Sequence, residues 1–195
     1  MGSKSKALKK TLVLVGLMGA GKSSIGQRLA ARIGAEFIDA DEEIVKAAGC
    51  SIEDIFTLHG ETAFRDGERR VISRLLKKPP HVLATGGGAF MNDTTRSMIK
   101  DRAFSIWLRA DLDVLLRRVK RRNDRPLLKG SDPKEILQNL IAERYPIYAE
   151  SDLIVDTTDA PHSTVVNELL ERIYALPHAE KPFDRGLLTK TPEVD

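Results

Sequence analysis

The stretch that most restricts what this chain can become is Gly16-Leu17-Met18-Gly19-Ala20-Gly21-Lys22-Ser23-Ser24, which directly follows the apolar run Thr11-Leu12-Val13-Leu14-Val15. Gly16, Gly21, Lys22 and Ser23 satisfy the pattern G-x-x-x-x-G-K-[ST], and the apolar spacing from Ser24 to about Ile33 predicts a helix behind it. A strand that runs through such a loop into a helix is a phosphate-binding device. Glycines let the backbone wrap closely enough for successive N–H groups to point at phosphate oxygens, and the helix adds its positive N-terminal end. Lys22 has the reach for β- and γ-phosphates, and Ser23 has the short hydroxyl that can sit on a magnesium ion bridging them. Gly19, Ala20, Gly21, Lys22, Ser23 and Ser24 are therefore the candidate ATP-binding residues.

A chain of 195 residues suits one α/β domain with a real core and room for a lid. The formal charge of +3 is spread over mixed acidic and basic residues, which offers nucleic acid little to hold. Cys50 is the only cysteine, so no internal disulfide can form, and it reads as a small buried residue. No apolar run approaches the ~18 residues of a membrane span. The run at Thr11 breaks at Gly16, too early for a signal peptide. The expectation is a cytoplasmic protein with neither membrane nor nucleic-acid partner. Residues 1–10 read as a basic, disordered leader, 11–176 as the single domain, and 177–195, polar and proline-bearing, as a tail without apolar period.

Strand and helix signals alternate along the domain. Strands are expected at Thr11 to Val15, Ala35 to Asp39, His81 to Thr85, Ala103 to Leu108 and Leu153 to Asp156. Between them, helices are expected from Asp41 to Ala48, from the capping-box pattern Ser51-Ile52-Glu53-Asp54 to about His59-Gly60, and from Glu61 to Lys78. Others run over Thr94 to Lys100, Asp111 to Arg122, Pro133 to Tyr145 or Tyr148, and Ser163 to Leu176. Residues 123–131 have no period and carry Arg125-Pro126 and Gly130, which reads as a mobile lid loop. This order predicts a five-stranded parallel sheet with helices on both faces.

In such a sheet, ligands gather beyond the carboxyl ends of the strands. The phosphate loop, the pair Asp39 and Asp41, the triple glycine Gly86 to Gly88, the loop with Arg125 and the turn after Asp156 all fall there. Asp41 could accept a hydrogen bond from an acceptor hydroxyl while Asp39 holds a water on the magnesium. Equally, both could be helix-start carboxylates favoured by the dipole. Arg65 and Arg144 could each grip a carboxylate bidentately, or lie on the surface. Phe56 and Phe64 read as core. One member of the basic run Arg117 to Arg122 could flank a nucleotide, or the run could be a solvated face. His59, His81, His162 and His178 lack ligand spacing, so no zinc site is expected.

Taken together, these features resemble the shikimate kinases from Leu12 to about Leu176. The motifs that carry the resemblance are Gly-Leu-Met-Gly-Ala-Gly-Lys-Ser, Phe-Ile-Asp-Ala-Asp, Ser-Ile-Glu-Asp-Ile-Phe, Glu-Thr-Ala-Phe-Arg, Gly-Gly-Gly-Ala, Arg-Pro-Leu-Leu and Glu-Arg-Tyr-Pro-Ile-Tyr. The resemblance implies a core like that of the nucleoside monophosphate kinases, working as a monomer. It implies transfer of the ATP γ-phosphoryl group to the 3-hydroxyl of shikimate with Mg2+, giving ADP, on the route to aromatic amino acids. By that likeness Lys22, Asp41 and Arg125 are catalytic, Arg125 being the lid arginine that meets ATP. Asp41, Arg65, Gly87, Gly88 and Arg144 hold shikimate, with Asp41 on its hydroxyls and the two arginines on its carboxylate. Ser23 and Asp39 serve the metal, and Arg118 joins the ATP set. The turn Thr157 to Pro161 would border adenine, although an arginine sometimes found there is missing. A nucleoside monophosphate kinase would share the first loop and the lid but not the set Asp41, Arg65 and Arg144. A non-catalytic nucleotide switch would need neither.

Overall fold

A computed structural model of the protein describes residues 8–120 and 132–183. Five strands, β1 (Thr11–Val15), β2 (Phe37–Asp39), β3 (Val82–Ala84), β4 (Ala103–Arg109) and β5 (Leu153–Asp156), form one parallel sheet in the order β2-β3-β1-β4-β5. All five residues of β1 are buried, as expected of the central strand of a sheet covered on both faces, where an unbroken apolar run replaces alternation. Helices α1 (Lys22–Ile33), α2 (Ala40–Ala48), α3 (Ile52–Leu75), α4 (Asp93–Arg102), α5 (Leu112–Lys120) and α6 (Pro133–Tyr148) lie between the strands, and α7 (His162–Ala175) follows the last.

The strand order locates the cleft. From β1 the chain moves outward to β2, whereas from β3 it crosses back over β1 to β4. Right-handed crossovers put those two connections on opposite faces of the sheet. The loops leaving β1 and β3, which are neighbours, therefore diverge and leave a crevice between them. The phosphate loop and the triple glycine are those two loops. Gly26 lets α1 lie close to the sheet, because a β-carbon there would sit 2.6 Å from the Phe37 ring and 3.0 Å from Leu14.

Local signals set most helix ends. Ser51 and Asp54 form the reciprocal capping box that starts α3. Asp132 caps α6 ahead of Pro133. The long α3 is broken by Gly60, whose φ of +80° and ψ of 174° are not helical, so it is two helices meeting where the His59-Gly60 signal places the join. Several features depart from the sequence reading, which took residues 1–10 for a disordered leader although Leu8 is buried. Cys50 is only half-buried. The ordered body also runs past Leu176: a 3-10 turn covers His178–Glu180, the Lys9 N–H donates to the Pro182 carbonyl at 2.8 Å, and Phe183 is fully buried edge-on against Tyr174. One aromatic residue in a polar stretch supplies this anchor, too little to register as a period.

Candidate active site

The phosphate loop is shaped by what it cannot carry. At Gly16 φ is +137°, and a β-carbon would lie 2.6 Å from the carbonyl oxygen of Leu108 on β4, so the chain can turn there only without a side chain. No side chain caps the start of α1, which leaves its first N–H groups pointing out of the loop. Lys22 Nζ folds back over that loop, donating to the Gly16 carbonyl at 2.7 Å and the Leu17 carbonyl at 3.0 Å. Ser23 Oγ donates to Asp39 Oδ2 at 2.7 Å. Asp39 Oδ1 meanwhile accepts from the Asp41 N–H at 3.0 Å and caps α2. Asp39 is thus a helix-start carboxylate and a partner of the loop at once. Asp41 is not the cap; it lines the cleft, half-buried.

Opposite the loop, the triple glycine admits charged side chains to its backbone. A β-carbon on Gly86 would lie 2.8 Å from Glu68 Oε1 and 3.0 Å from Asp41 Oδ1. One on Gly88 would lie 2.6 Å from Arg65 Cζ, and one on Gly87 3.7 Å from Arg144 Nη1. The two guanidinium groups therefore stand beside consecutive residues of one loop, close enough for one small anion to bridge them. Arg65 is held by Glu68 at 2.9 Å and by Glu61 at 3.1 Å. Arg144 donates to the Gly87 carbonyl at 3.1 Å, and the Tyr148 hydroxyl donates to the same oxygen. Burial pushes the Tyr148 phenol up to about 12, so it stays a donor. Glu68 is 3% exposed, and its Oε1 finds no hydrogen-bond partner among the described residues. Burial raises its carboxyl above the ordinary range, Arg65 opposes that shift, and Asp41 adds to it.

At the other end of the cleft, Arg118 ties the phosphate loop to the turn after β5. Its guanidinium donates to the Gly19 carbonyl at 3.1 Å, to Thr157 Oγ1 at 3.4 Å and to the Thr158 carbonyl. Arg117 pairs with Asp159, and Arg109 grips Asp156 with two bonds of 2.6 and 2.9 Å. Burial lowers the proton affinity of Arg118. The whole cleft has a volume of about 870 Å³ and also takes in Ser24, Pro161 and His162.

Most of the expected residues meet here: Gly19, Gly21, Lys22, Ser23, Ser24, Asp39, Asp41, Arg65, Gly87, Gly88, Arg118 and Arg144 all line it. Ala20 is buried within the loop, its carbonyl 3.4 Å from Arg118 Nη1. Arg125 and the lid expected at 123–131 lie outside the described residues. Phe56 and Phe64, read as core, stack at 4.6 Å and form a wall of the cleft, although Phe64 is also buried. Glu68 was missed, and Gly86 was expected there only as part of the triple glycine. The spacing of Arg65 and Glu68, three residues apart on one helix, is the signal that could have found Glu68. Among the described residues no cluster of three or more histidine, cysteine or carboxylate side chains could hold a metal by itself.

A family model for shikimate kinase matches residues 18–174. A shikimate kinase of Caulobacter vibrioides is 58% identical over 161 residues, covering 83% of this chain and 80% of its own length. Among solved structures, shikimate kinase from Acinetobacter baumannii in complex with shikimate superposes with a TM-score of 0.84 at 34% identity, covering 89% of this chain and 98% of its own. Shikimate kinase from Aquifex aeolicus gives a TM-score of 0.73 at 32% identity, covering 84% of this chain and 96% of its own.

Proposed function

The chain belongs to the shikimate kinase family, and from that premise we infer that it transfers the γ-phosphoryl group of ATP to the 3-hydroxyl of shikimate, giving shikimate 3-phosphate and ADP on the route to aromatic amino acids. The observation that carries this reading is the pairing of Arg65 and Arg144 beside Gly88 and Gly87, facing Asp41 in the same cleft as the phosphate loop. Two guanidinium groups and one carboxylate suit a small acid that bears hydroxyls. A nucleoside acceptor would instead need a pocket that reads a base.

The division of labour follows from phosphoryl transfer itself. Its transition state is loose, so the protein positions groups and offsets charge rather than making bonds. Arg65 and Arg144 hold the acceptor carboxylate, and Glu68 keeps Arg65 in place. Asp41 orients the attacking hydroxyl and takes its proton as the new P–O bond forms and the bond to the β-phosphate oxygen breaks. Lys22, whose Nζ now lies on two loop carbonyls, has the reach to leave them for the β- and γ-oxygens. Arg118 borders the nucleotide on the side of the Thr157–Thr158 turn, and Arg125, by the family likeness, brings a further positive charge. A monomer is the proposed working unit, and the cytoplasm the proposed compartment.

Ser23 and Asp39 fit a magnesium ion. Their oxygens are 2.7 Å apart at the mouth of the phosphate loop, and both are hard donors. Magnesium keeps most of its waters and draws further oxygens from the phosphates, so one hydroxyl and one outer carboxylate suffice. Held there by Ser23 and, through water, Asp39, it would offset the negative charge of the phosphates.

The test is to incubate the protein with Mg-ATP and a panel of hydroxylated acids and nucleoside monophosphates, and to weigh the products. Shikimate should gain one phosphoryl group, far ahead of every other acceptor. A nucleoside monophosphate phosphorylated in preference would overturn the reading.

A further inference from the structure

One side chain of the cleft has no place in the mechanism above. His162 is the first residue of α7, directly after Pro161, and lines the nucleotide end of the cleft half-buried. Its ring lies over the last glycine of the phosphate loop: a β-carbon on Gly21 would be 3.5 Å from Nε2. Gly21 immediately precedes α1, where phosphate oxygens are received. α1 and α7 pack against each other, which brings the start of α7 beside the phosphate loop.

We propose that His162 is a nucleotide-binding residue, its Nε2 donating to a phosphate oxygen of bound ATP or ADP and the imidazole taking up a proton as that phosphate arrives. The inference rests on the nucleotide occupying this cleft as set out above. Its surroundings make the behaviour conditional. Arg28 of α1 and Arg118 of α5 press positive charge on the ring, and burial adds to them as the leading cause, so its proton affinity is depressed. The N-terminal end of α7 acts in the same sense. Of the other charged groups at that end, Lys22 is a further cation, and the carboxylate of Asp159 is engaged by Arg117. Burial, Arg118 and Arg28 thus favour the neutral imidazole. A phosphate placed between these groups reverses the balance, favours the imidazolium and gains a charge-assisted hydrogen bond. By linkage, the His162 contribution to ADP binding grows as the pH falls toward the lowered range of the free imidazole, and by the same factor ADP raises the proton affinity of His162.

The experiment is calorimetric titration of the whole protein with Mg-ADP at pH 7 in two buffers of different ionisation enthalpy, for the wild type, H162A and H162Q. The wild type should take up more protons per ADP than either variant, a difference that cancels the nucleotide's own titration. H162A should bind ADP on the order of 10-fold more weakly. H162Q should recover part of that affinity without the extra protons, and shikimate affinity should be unchanged in both. Wild-type binding of ADP with equal affinity and equal proton uptake in H162A would overturn this inference alone. Failure of the wild type to bind ADP would overturn the nucleotide reading first.

Discussion

The carboxylates of Glu68 and Asp41 converge on Gly86, one at 2.8 Å and the other at 3.0 Å from where its β-carbon would stand. Two like charges meet on the backbone of a single residue, held apart from water on one side and balanced by Arg65 on the other. Gly86→Ala should therefore displace both. The expected result is a fall on the order of 10²-fold in kcat/KM for shikimate, the scale of a misplacement near the reacting centre. ATP affinity should stay within about two-fold. Steady-state kinetics with each substrate varied in turn would check it, and an unchanged kcat/KM would show that the glycine is not needed for this approach.

Glu68→Gln removes the charge while keeping the shape. The folded carboxyl titrates above its unfolded value, so the native state binds the proton more tightly. Stability from that source is complete below the unfolded value near 4.3 and is lost as pH rises through the raised folded value. The Tm of Glu68→Gln relative to wild type should therefore climb as pH rises from about 4.3 through the raised folded value. A flat difference would mean that Arg65 cancels the cost of burial. In activity the variant should raise the KM for shikimate, because Arg65 loses its buried anchor.

Arg65→Ala and Arg144→Ala should each raise the KM for shikimate by on the order of 10- to 100-fold, the range for losing one charge-assisted pair, with ATP affinity intact. A carboxylate held alike in ground and transition states is uniform binding, so kcat should change less than KM. Equal loss of ATP and shikimate binding would instead indicate a damaged fold.

The two aspartates separate cleanly. Asp39→Asn keeps an oxygen that can cap α2 and should leave Tm nearly unchanged while weakening the apparent affinity for Mg2+ in a metal titration of activity. Asp41 is not the N-cap of α2, and Asp41→Asn should lower kcat on the order of 10²-fold or more with the fold intact. An Asp41→Asn enzyme of near-normal kcat would reduce that residue to a helix-start carboxylate.

Much of this was legible beforehand, for identifiable reasons. The phosphate loop is a local motif whose backbone demands are met by glycines in fixed positions. Asp39 and Asp41 sit where a short strand turns into a helix, so the sequence places them at the sheet's carboxyl edge. Glu68 was not legible, because a glutamate on a helix rich in charges reads as solvated, and only the fold carries it beneath Gly86. The triple glycine was ambiguous for the same reason. A plain turn and a loop that admits two guanidinium groups have one sequence, and the difference lies in α3 and α6, which come from elsewhere in the chain. Periodicity likewise could not say which base of Arg117 to Arg122 reaches the phosphate loop. Arg118 does so because its neighbours Val114, Leu115 and Val119 are the buried ones and turn it inward along α5.

The hydrogen bond from Lys9 to Pro182 brings the entrance and exit of the described body together at the edge of the sheet where β1 begins. The chemistry happens where β1 ends, about 17 Å away along a five-residue strand. A fusion partner, an affinity handle or a surface tether attached beside either residue therefore leaves from the pole opposite the cleft. Residues 8 and 183 also lie near enough for a short peptide bridge, so the polypeptide could be rejoined there and reopened in a distant surface loop to give a circularly permuted enzyme.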